Sequence, residues 1–94
     1  MKKNTVILAV NGGFYFFGEE VKSKQDGFIA LKSAAMFGGF SGGKGLPGVA
    51  RGDKEANVIL DFFADDAILE FPQTAVFGIF PSIDLSEWEN TTKR

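Results

Sequence analysis

The segment Phe37-Gly-Gly-Phe-Ser-Gly-Gly-Lys-Gly-Leu-Pro-Gly-Val-Ala-Arg-Gly-Asp53 divides the chain into two apolar halves. Seven of the twelve glycines lie between Gly38 and Gly52, whereas short apolar stretches lie on either side. Rigid strands joined by a long flexible loop commonly carry a binding site on that loop, because the scaffold holds it in position. We therefore expect this segment to be a loop that contains the functional residues.

Three strands are predicted before the loop, over residues 5–10, 14–21 and 28–37. An Asn-Gly-Gly turn joins the first two, because Asn and Gly adopt positive φ at little cost. Gly18, inside the second strand, indicates the kind of bend or bulge that lets a small sheet curl. Residues 34–36 also allow a helix, but the flanking glycines and the hairpin context favour a strand.

Three further strands are predicted after the loop, over residues 56–63, 67–71 and 75–80. Residues 82–94 are more polar, and their one tryptophan, Trp88, supplies a large apolar side chain. We expect this segment to form a short helical turn or a tail that becomes ordered on contact.

Short strands at roughly ten-residue spacing, with turn residues between them and no long helical period, predict an all-β domain. We expect residues 1–94 to form one domain, in which residues 1–81 build a small barrel of five to six strands. Closure is the expected arrangement because it removes the exposed edges of a small sheet. The glycine-rich loop would then join the third and fourth strands.

Composition argues against several classes of function. The net charge is −2 and the pI is near 5.0, whereas a general nucleic-acid binder normally carries an excess of basic residues. The chain has neither Cys nor His, which removes thiol chemistry and the commonest general base and metal ligand. Adjacent residues on a strand point to opposite faces, so neither the Glu19-Glu20 pair nor the Asp65-Asp66 pair need converge, and turn chemistry and solvated edges account for them. We expect no enzyme, no metal and no cofactor.

The hydropathy pattern indicates where in the cell the protein is expected. No run of 18 apolar residues occurs, so no transmembrane helix is expected. The apolar run over residues 6–10 is too short for the core of a signal peptide. We expect a cytoplasmic protein that does not interact with membranes.

Eleven phenylalanines are many for 94 residues, and four aromatic residues occur in one run from Phe14 to Phe17. Because side chains alternate along a strand, this run must present rings on both faces. We predict a homo-oligomer whose interface contains Phe14, Phe16, Phe17 and Trp88. The alternative is a two-sided core that is covered by Trp88 and the C-terminal tail.

The loop matches two glycine motifs without their essential context. Gly38, Gly43 and Lys44 have the spacing of a phosphate-binding P-loop, but Gly45 stands where Ser or Thr should hold Mg²⁺. The loop is also expected to continue into Leu46-Pro47-Gly48 rather than into a helix. The glycines at 43, 45 and 48 match the dinucleotide fingerprint, but the βαβ unit that it requires is not predicted. Neither motif is therefore assigned.

The loop nevertheless combines groups that suit a nucleotide. Successive glycines let backbone N–H groups converge on an anion, and an arginine can bind phosphate through two hydrogen bonds. An aromatic ring stacked on a base contributes about 1–3 kcal/mol. The alternative is a solvated loop whose aromatic rings pack on the scaffold and whose cations are merely exposed. We predict a ligand site formed by Phe37, Phe40, Ser41, Gly42, Gly43, Lys44, Gly45 and Arg51.

Residues 13–18 and 26–34 resemble the first half of an Sm-like barrel, in which a glycine-bent strand precedes an acidic turn and a strand ending in Leu-x-x-Ala. Residues 71–82 resemble the end of that fold in its bacterial RNA-chaperone branch, where a final apolar strand closes with Pro-Ser. The resemblance implies an Sm-like or SH3-like barrel and an RNA-binding ring. The family's RNA-contacting motifs are absent, since the turn is Asp26-Gly27-Phe28-Ile29, so no RNA-binding residue is carried over.

The overall layout also resembles small β proteins encoded by bacteriophages, some of which sequester cyclic-nucleotide immune signals. Our leading hypothesis is a non-enzymatic homo-oligomer that sequesters a phosphate-bearing ligand such as a cyclic nucleotide, in phage counter-defence within a bacterial host. The first alternative is an Sm-like RNA-binding ring, which the acidic charge disfavours. The second is a protein–protein inhibitor or assembly subunit whose glycine-rich loop inserts into a partner.

Overall fold

A computed structural model of the protein describes residues 4–42 and 44–94. Most of the described chain is β-structure in one seven-stranded sheet, which confirms the all-β class. The strand order is β6-β1-β2-β3-β4-β7, and β5 pairs with β3 beside this path. A 3₁₀ turn over Gln73–Ala75 joins β5 to β6. The elements are β1 (Thr5–Val10), β2 (Phe14–Val21), β3 (Phe28–Ser41), α1 (Leu46–Arg51), β4 (Asn57–Phe62), β5 (Ile68–Pro72), β6 (Val76–Pro81) and β7 (Thr91–Lys93).

This open sheet does not fit the predicted barrel of five to six strands. The reason lies in β3, whose 14 residues are shared between two antiparallel partners on the same side. Residues 28–32 of β3 pair with β5, and residues 35–41 pair with β4. One long strand therefore supports two branches of the sheet, and the strand order ends at β6 and β7 instead of closing on itself.

The bend predicted at Gly18 is confirmed by a shift in the β2–β3 register between Phe17 and Glu19. A Cβ atom on Gly18 would lie 3.0 Å from the Cβ of Leu31 and 3.2 Å from the carbonyl oxygen of Lys32. Only a glycine lets the two strands approach this closely. Ser33, on the longer side of the bulge, has a φ of 52°, in the left-handed region.

The central strands bury side chains on both faces, because successive residues of a strand point to opposite sides. On β1, Ile7 points into the first core, whereas Val6 and Leu8 point into the second. The first core consists of Ile7, Phe17, Ala35, Val49, Ala56, Val58, Leu60 and Leu85. The second core consists of Val6, Leu8, Ile29, Leu31 and Ala34.

The C-terminal segment, predicted as a polar tail, is a packed part of the fold. Leu85 is fully buried in the first core, and Trp88 packs against the same cluster. The hydroxyl of Thr91 donates a hydrogen bond to the carbonyl oxygen of Leu85 over 2.7 Å. β7 then pairs with β4 in parallel, so the segment covers one end of the sheet.

Candidate binding site

The glycine-rich segment is largely regular secondary structure rather than a loop. Its first residues extend β3 to Ser41, and the helix α1 begins at Leu46, so the expectation that no helix follows the glycines is wrong. Pro47 lies in the first turn of α1, where its missing N–H group is not needed. Gly52 ends the helix in a left-handed conformation with φ 73° and ψ 41°. This proline-to-glycine spacing is a helix signal that was present in the sequence.

Gly42, before α1, is required by close packing of the chain. Gly42 has a φ of 78°, and a Cβ atom there would collide with the carbonyl oxygen of Glu55. The N–H groups of Gly48 and Val49 donate to the carbonyl oxygen of Gly45 over 3.1 and 3.3 Å, so both are used within the helix. Gly43, which belongs to the predicted ligand site, lies outside the described residues.

The two cations of the predicted ligand site both lie near the same carboxylate. Arg51 donates two hydrogen bonds to Asp53, from Nη2 to Oδ2 over 2.6 Å and from Nε to Oδ1 over 3.3 Å. These hydrogen bonds lower the pKa of Asp53, and the charge of Lys44 lowers it further. Lys44 also shares a shallow depression with Gly42, Asp53 and Glu55. The carboxylates balance the positive charge that a phosphate would require.

The predicted stacking rings are brought together by a bulge. Phe37 and Phe40 would normally point to opposite faces of a strand, since they are three residues apart. The β3–β4 register shifts between Phe37 and Gly39, and this puts both rings on one face. Their centroids are 6.0 Å apart, and each ring also lies near Tyr15, at 6.0 and 6.3 Å. Phe37 packs against the first core, whereas Phe40 is exposed.

The fold does not bring the four residues predicted for an oligomer interface together on one exposed surface. Phe17 is buried in the first core, and Trp88 packs against it. Phe16 packs against the second core, where its ring lies 4.9 Å from that of Phe71. Phe14 remains 54% exposed at the start of β2. The aromatic run therefore contributes mainly to a two-sided core.

An apolar cleft that the sequence interpretation missed lies between α1 and β6. It has a volume of about 380 Å³. Val49 anchors the helix in the first core, and the N–H group of Ile83 donates to the carbonyl oxygen of Ala50 over 3.0 Å. The helical wall of the cleft is therefore held firmly against the sheet. The lining residues are Leu46, Pro47, Ala50, Arg51, Phe80 and Pro81.

The other wall of the cleft belongs to a strand at the margin of the sheet. β6 ends the strand order, and within residues 4–42 and 44–94 its only partner strand is β1. Large apolar side chains stay accessible along it: Phe77 is 77% exposed, Ile79 45% and Phe80 41%. A Cβ atom on Gly78 would lie 2.9 Å from the ring of Phe80, so the absent side chain makes room for that ring.

Comparison with known proteins identifies no family for this chain. A scan against protein-family models finds no match, and a search of the curated proteins finds none either. In the part of the chain that the structure describes, no group of three acidic residues is arranged to hold a metal ion. No helix among those residues is long and apolar enough to cross a membrane.

Proposed function

We propose that this protein is a non-enzymatic protein-binding module that accepts an apolar side chain of a partner protein in the cleft between α1 and β6. The observation that carries the proposal is the cleft itself, which combines apolar walls from Leu46, Ala50 and Phe80 with an opening to solvent. The proposal belongs to the same protein–protein class as the second alternative from the sequence, but here a partner's side chain enters this chain, whereas that alternative has the glycine-rich loop inserting into a partner. It also keeps a role for the glycine-rich segment, since α1 is formed by that segment.

The size and chemistry of the cleft support a side chain as its occupant. Its volume of about 380 Å³ lies near the lower limit for small-molecule pockets, which span roughly 300–1,000 Å³. Burying one Leu, Ile or Phe side chain of a partner contributes about 1.5–3 kcal/mol. Arg51, already paired with Asp53, lines the cleft as a satisfied polar group. An apolar centre beside a polar rim is the usual composition of a protein interface.

A selection from a random peptide library tests this proposal. We expect the selected peptides to share large apolar side chains and to shift the NMR signals of Leu46, Ala50 and Phe80 on binding. Ala50→Trp fills the cleft and should abolish this binding. Ala64→Trp is the matched control, because Ala64 is exposed outside the cleft, and this variant should bind as the wild type does.

Two results would contradict the proposal. The first is selected peptides whose signals map away from the cleft. The second is peptide affinity that Ala50→Trp and Ala64→Trp leave equally unchanged, in variants that both unfold cooperatively.

Nucleotide sequestration is a second candidate, and exposed groups of the glycine-rich segment favour it. The ring of Phe40 is accessible for stacking on a base, and Lys44 is exposed beyond Gly42. It is less well supported than the cleft, because Asp53 lies near both Lys44 and Arg51. The hypothesis of a role in phage counter-defence depends on this second candidate function.

A thermal-shift screen separates this candidate from the first. A ligand that binds the folded state raises the melting temperature by mass action, so mono-, di- and cyclic nucleotides are tested with Lys44→Ala and Arg51→Ala as controls. Absence of a shift with every nucleotide would eliminate the candidate. Short single-stranded RNA belongs in the same screen, since the Sm-like alternative requires an RNA affinity that falls steeply with salt.

A further inference from the structure

The chain has four asparagines, and one of them lies in an exposed turn directly before a glycine. We propose that Asn11 is a site of spontaneous deamidation, at which the folded protein converts its own side-chain amide to a carboxylate. The turn over residues 11–13 joins β1 to β2, and all of its residues are exposed. This site is separate from the cleft and does not depend on the proposed function.

The reaction requires only water and the amide nitrogen of the following residue. The backbone nitrogen of Gly12, after losing its proton to a base, attacks Cγ of Asn11, and the side-chain nitrogen Nδ2 leaves as ammonia. The product is a cyclic imide. Water then opens the ring at either carbonyl carbon, which gives an aspartate or an isoaspartate whose backbone runs through the former side chain. Water is gained, ammonia is lost, and no oxidation or reduction takes place.

The side-chain amide of Asn11 differs from those of the other asparagines in its contacts. Nδ2 of Asn4 donates to a glutamate side chain over 3.1 Å, and Nδ2 of Asn57 and of Asn90 donate to backbone carbonyl oxygens over 3.4 and 2.8 Å. Within residues 4–42 and 44–94, the side chain of Asn11 makes no hydrogen bond. It can therefore turn toward the backbone without losing a partner.

The attacking nitrogen is also more accessible after Asn11 than after its counterparts. The N–H groups that follow Asn57 and Asn90 both donate to backbone carbonyl oxygens over 3.1 Å. The N–H group of Gly12 has no acceptor in the described part of the chain, so it exchanges its proton with solvent. Gly12 has no side chain to shield its nitrogen, whereas a β-branched residue follows each of the other asparagines. Two successive glycines also let the turn change its backbone angles as the ring closes.

The modification alters the connection between this turn and the segment before β6. The N–H group of Asn11 donates to the carbonyl oxygen of Ala75 over 2.9 Å, next to the register shift between β1 and β6. An isoaspartate lengthens the backbone of the turn by one carbon atom, so the turn no longer fits both this hydrogen bond and the pair of Val10 with Phe14. We therefore expect the isoaspartate product to melt at a lower temperature than the variant Asn11→Asp, which carries the same charge.

Peptide mapping by mass spectrometry of the full chain tests the site. The protein is incubated at mildly basic pH below its melting temperature, and deamidation is quantified at every asparagine of the same sample. We expect Asn11 to react at least about tenfold faster than the others, which corresponds to a barrier lower by about 1.4 kcal/mol. The rate should rise with pH, because the attacking nitrogen must lose its proton. Asn11→Gln moves the amide carbon one methylene farther along the side chain and should stay unmodified.

Three results would overturn the inference. The first is an Asn11 amide that stays intact in the folded protein but is lost from the urea-unfolded chain, because the turn would then hold the reacting atoms apart. The second is conversion of Asn4, Asn57 or Asn90 at a similar rate. Ion exchange separates the more acidic products for thermal unfolding, and an isoaspartate product that melts with Asn11→Asp would overturn the expected effect on the turn.

Discussion

β1 and β6 are neighbouring strands of equal length and both are uncharged, yet the side chains of β1 are largely buried and those of β6 are largely exposed. Each has six residues and no charge, and Leu8 of β1 lies directly opposite Ile79 of β6. Leu8 is fully buried, whereas nearly half of Ile79 is exposed. The difference arises because β1 has β2 on its second side and β6 ends the strand order. Position in the sheet, rather than apolar character, therefore decides which strand is core and which is available for binding.

The largest effect is expected from shortening the two opposed side chains separately. Leu8→Ala should lower the free energy of unfolding by about 2–5 kcal/mol, because it leaves a cavity in the second core. Ile79→Ala should lower it by less than about 1 kcal/mol, since solvent already reaches that side chain. Urea denaturation at a concentration where the protein is monomeric measures both. Equal losses for the two variants would show that position in the sheet does not decide how much each side chain contributes to stability.

Gly18 in β2 and Gly78 in β6 should show the same contrast, with substitution in the interior strand lowering the free energy of unfolding more. Gly18→Ala forces a Cβ against the Cβ of Leu31 and the backbone of Lys32, so we expect a loss of about 1–3 kcal/mol in unfolding free energy. In Gly78→Ala the nearest group is the half-exposed ring of Phe80, which can turn away. That variant should stay within about 0.5 kcal/mol of the wild type. A severe loss for Gly78→Ala would show that the margin of β6 is as tightly packed as β2.

The smallest effect is expected at the exposed ion pair beside the cleft. Arg51 holds the pKa of Asp53 below its ordinary value, so the stabilisation from this pair is present at neutral pH. It is lost as pH falls from the ordinary carboxyl pKa through the lower pKa of the folded state. Asp53→Asn should remove this small acid-dependent part of the stability, because exposed pairs contribute little.

Thermal unfolding across acidic pH measures the contribution of the ion pair. Asp66→Asn, in the exposed turn between β4 and β5, changes the net charge equally and serves as the control. A pH profile for Asp53→Asn that coincides with that of the wild type would show that the pair contributes nothing to stability.

Local signals in the sequence were sufficient for most strands. β1 and β2 have the predicted bounds, and β4, β5 and β6 differ from theirs by one residue at each end. β-branched and aromatic runs between turn residues act over only a few positions, so they can be recognised without knowledge of the partners. β3 was predicted too short, because pairing with β4 extends it through Gly38 and Gly39. β7 has three residues and is defined by its pairing with β4.

The candidate site was predicted less well than the fold. The rings of Phe37 and Phe40 are neighbours, and a bulge rather than a flexible loop brings them together. Lys44 and Arg51 were not expected to lie near Asp53, although Asp53 follows Arg51 by only two residues. The cleft was missed because its walls, α1 and β6, are far apart in the chain. A site assembled by long-range packing leaves no local spacing to recognise.

Local sequence patterns are enough to predict the all-β class and the positions of most strands, and they contain the helix signal between Pro47 and Gly52. These properties depend on backbone preferences that operate within a few residues. Long-range packing was needed to establish that β3 pairs with both β4 and β5 on one side, that Phe17 is buried while Phe77 is exposed, and that β6 lies at the margin of the sheet. Strand order depends on pairing between distant segments, and the apolar run of an edge strand resembles that of a buried one.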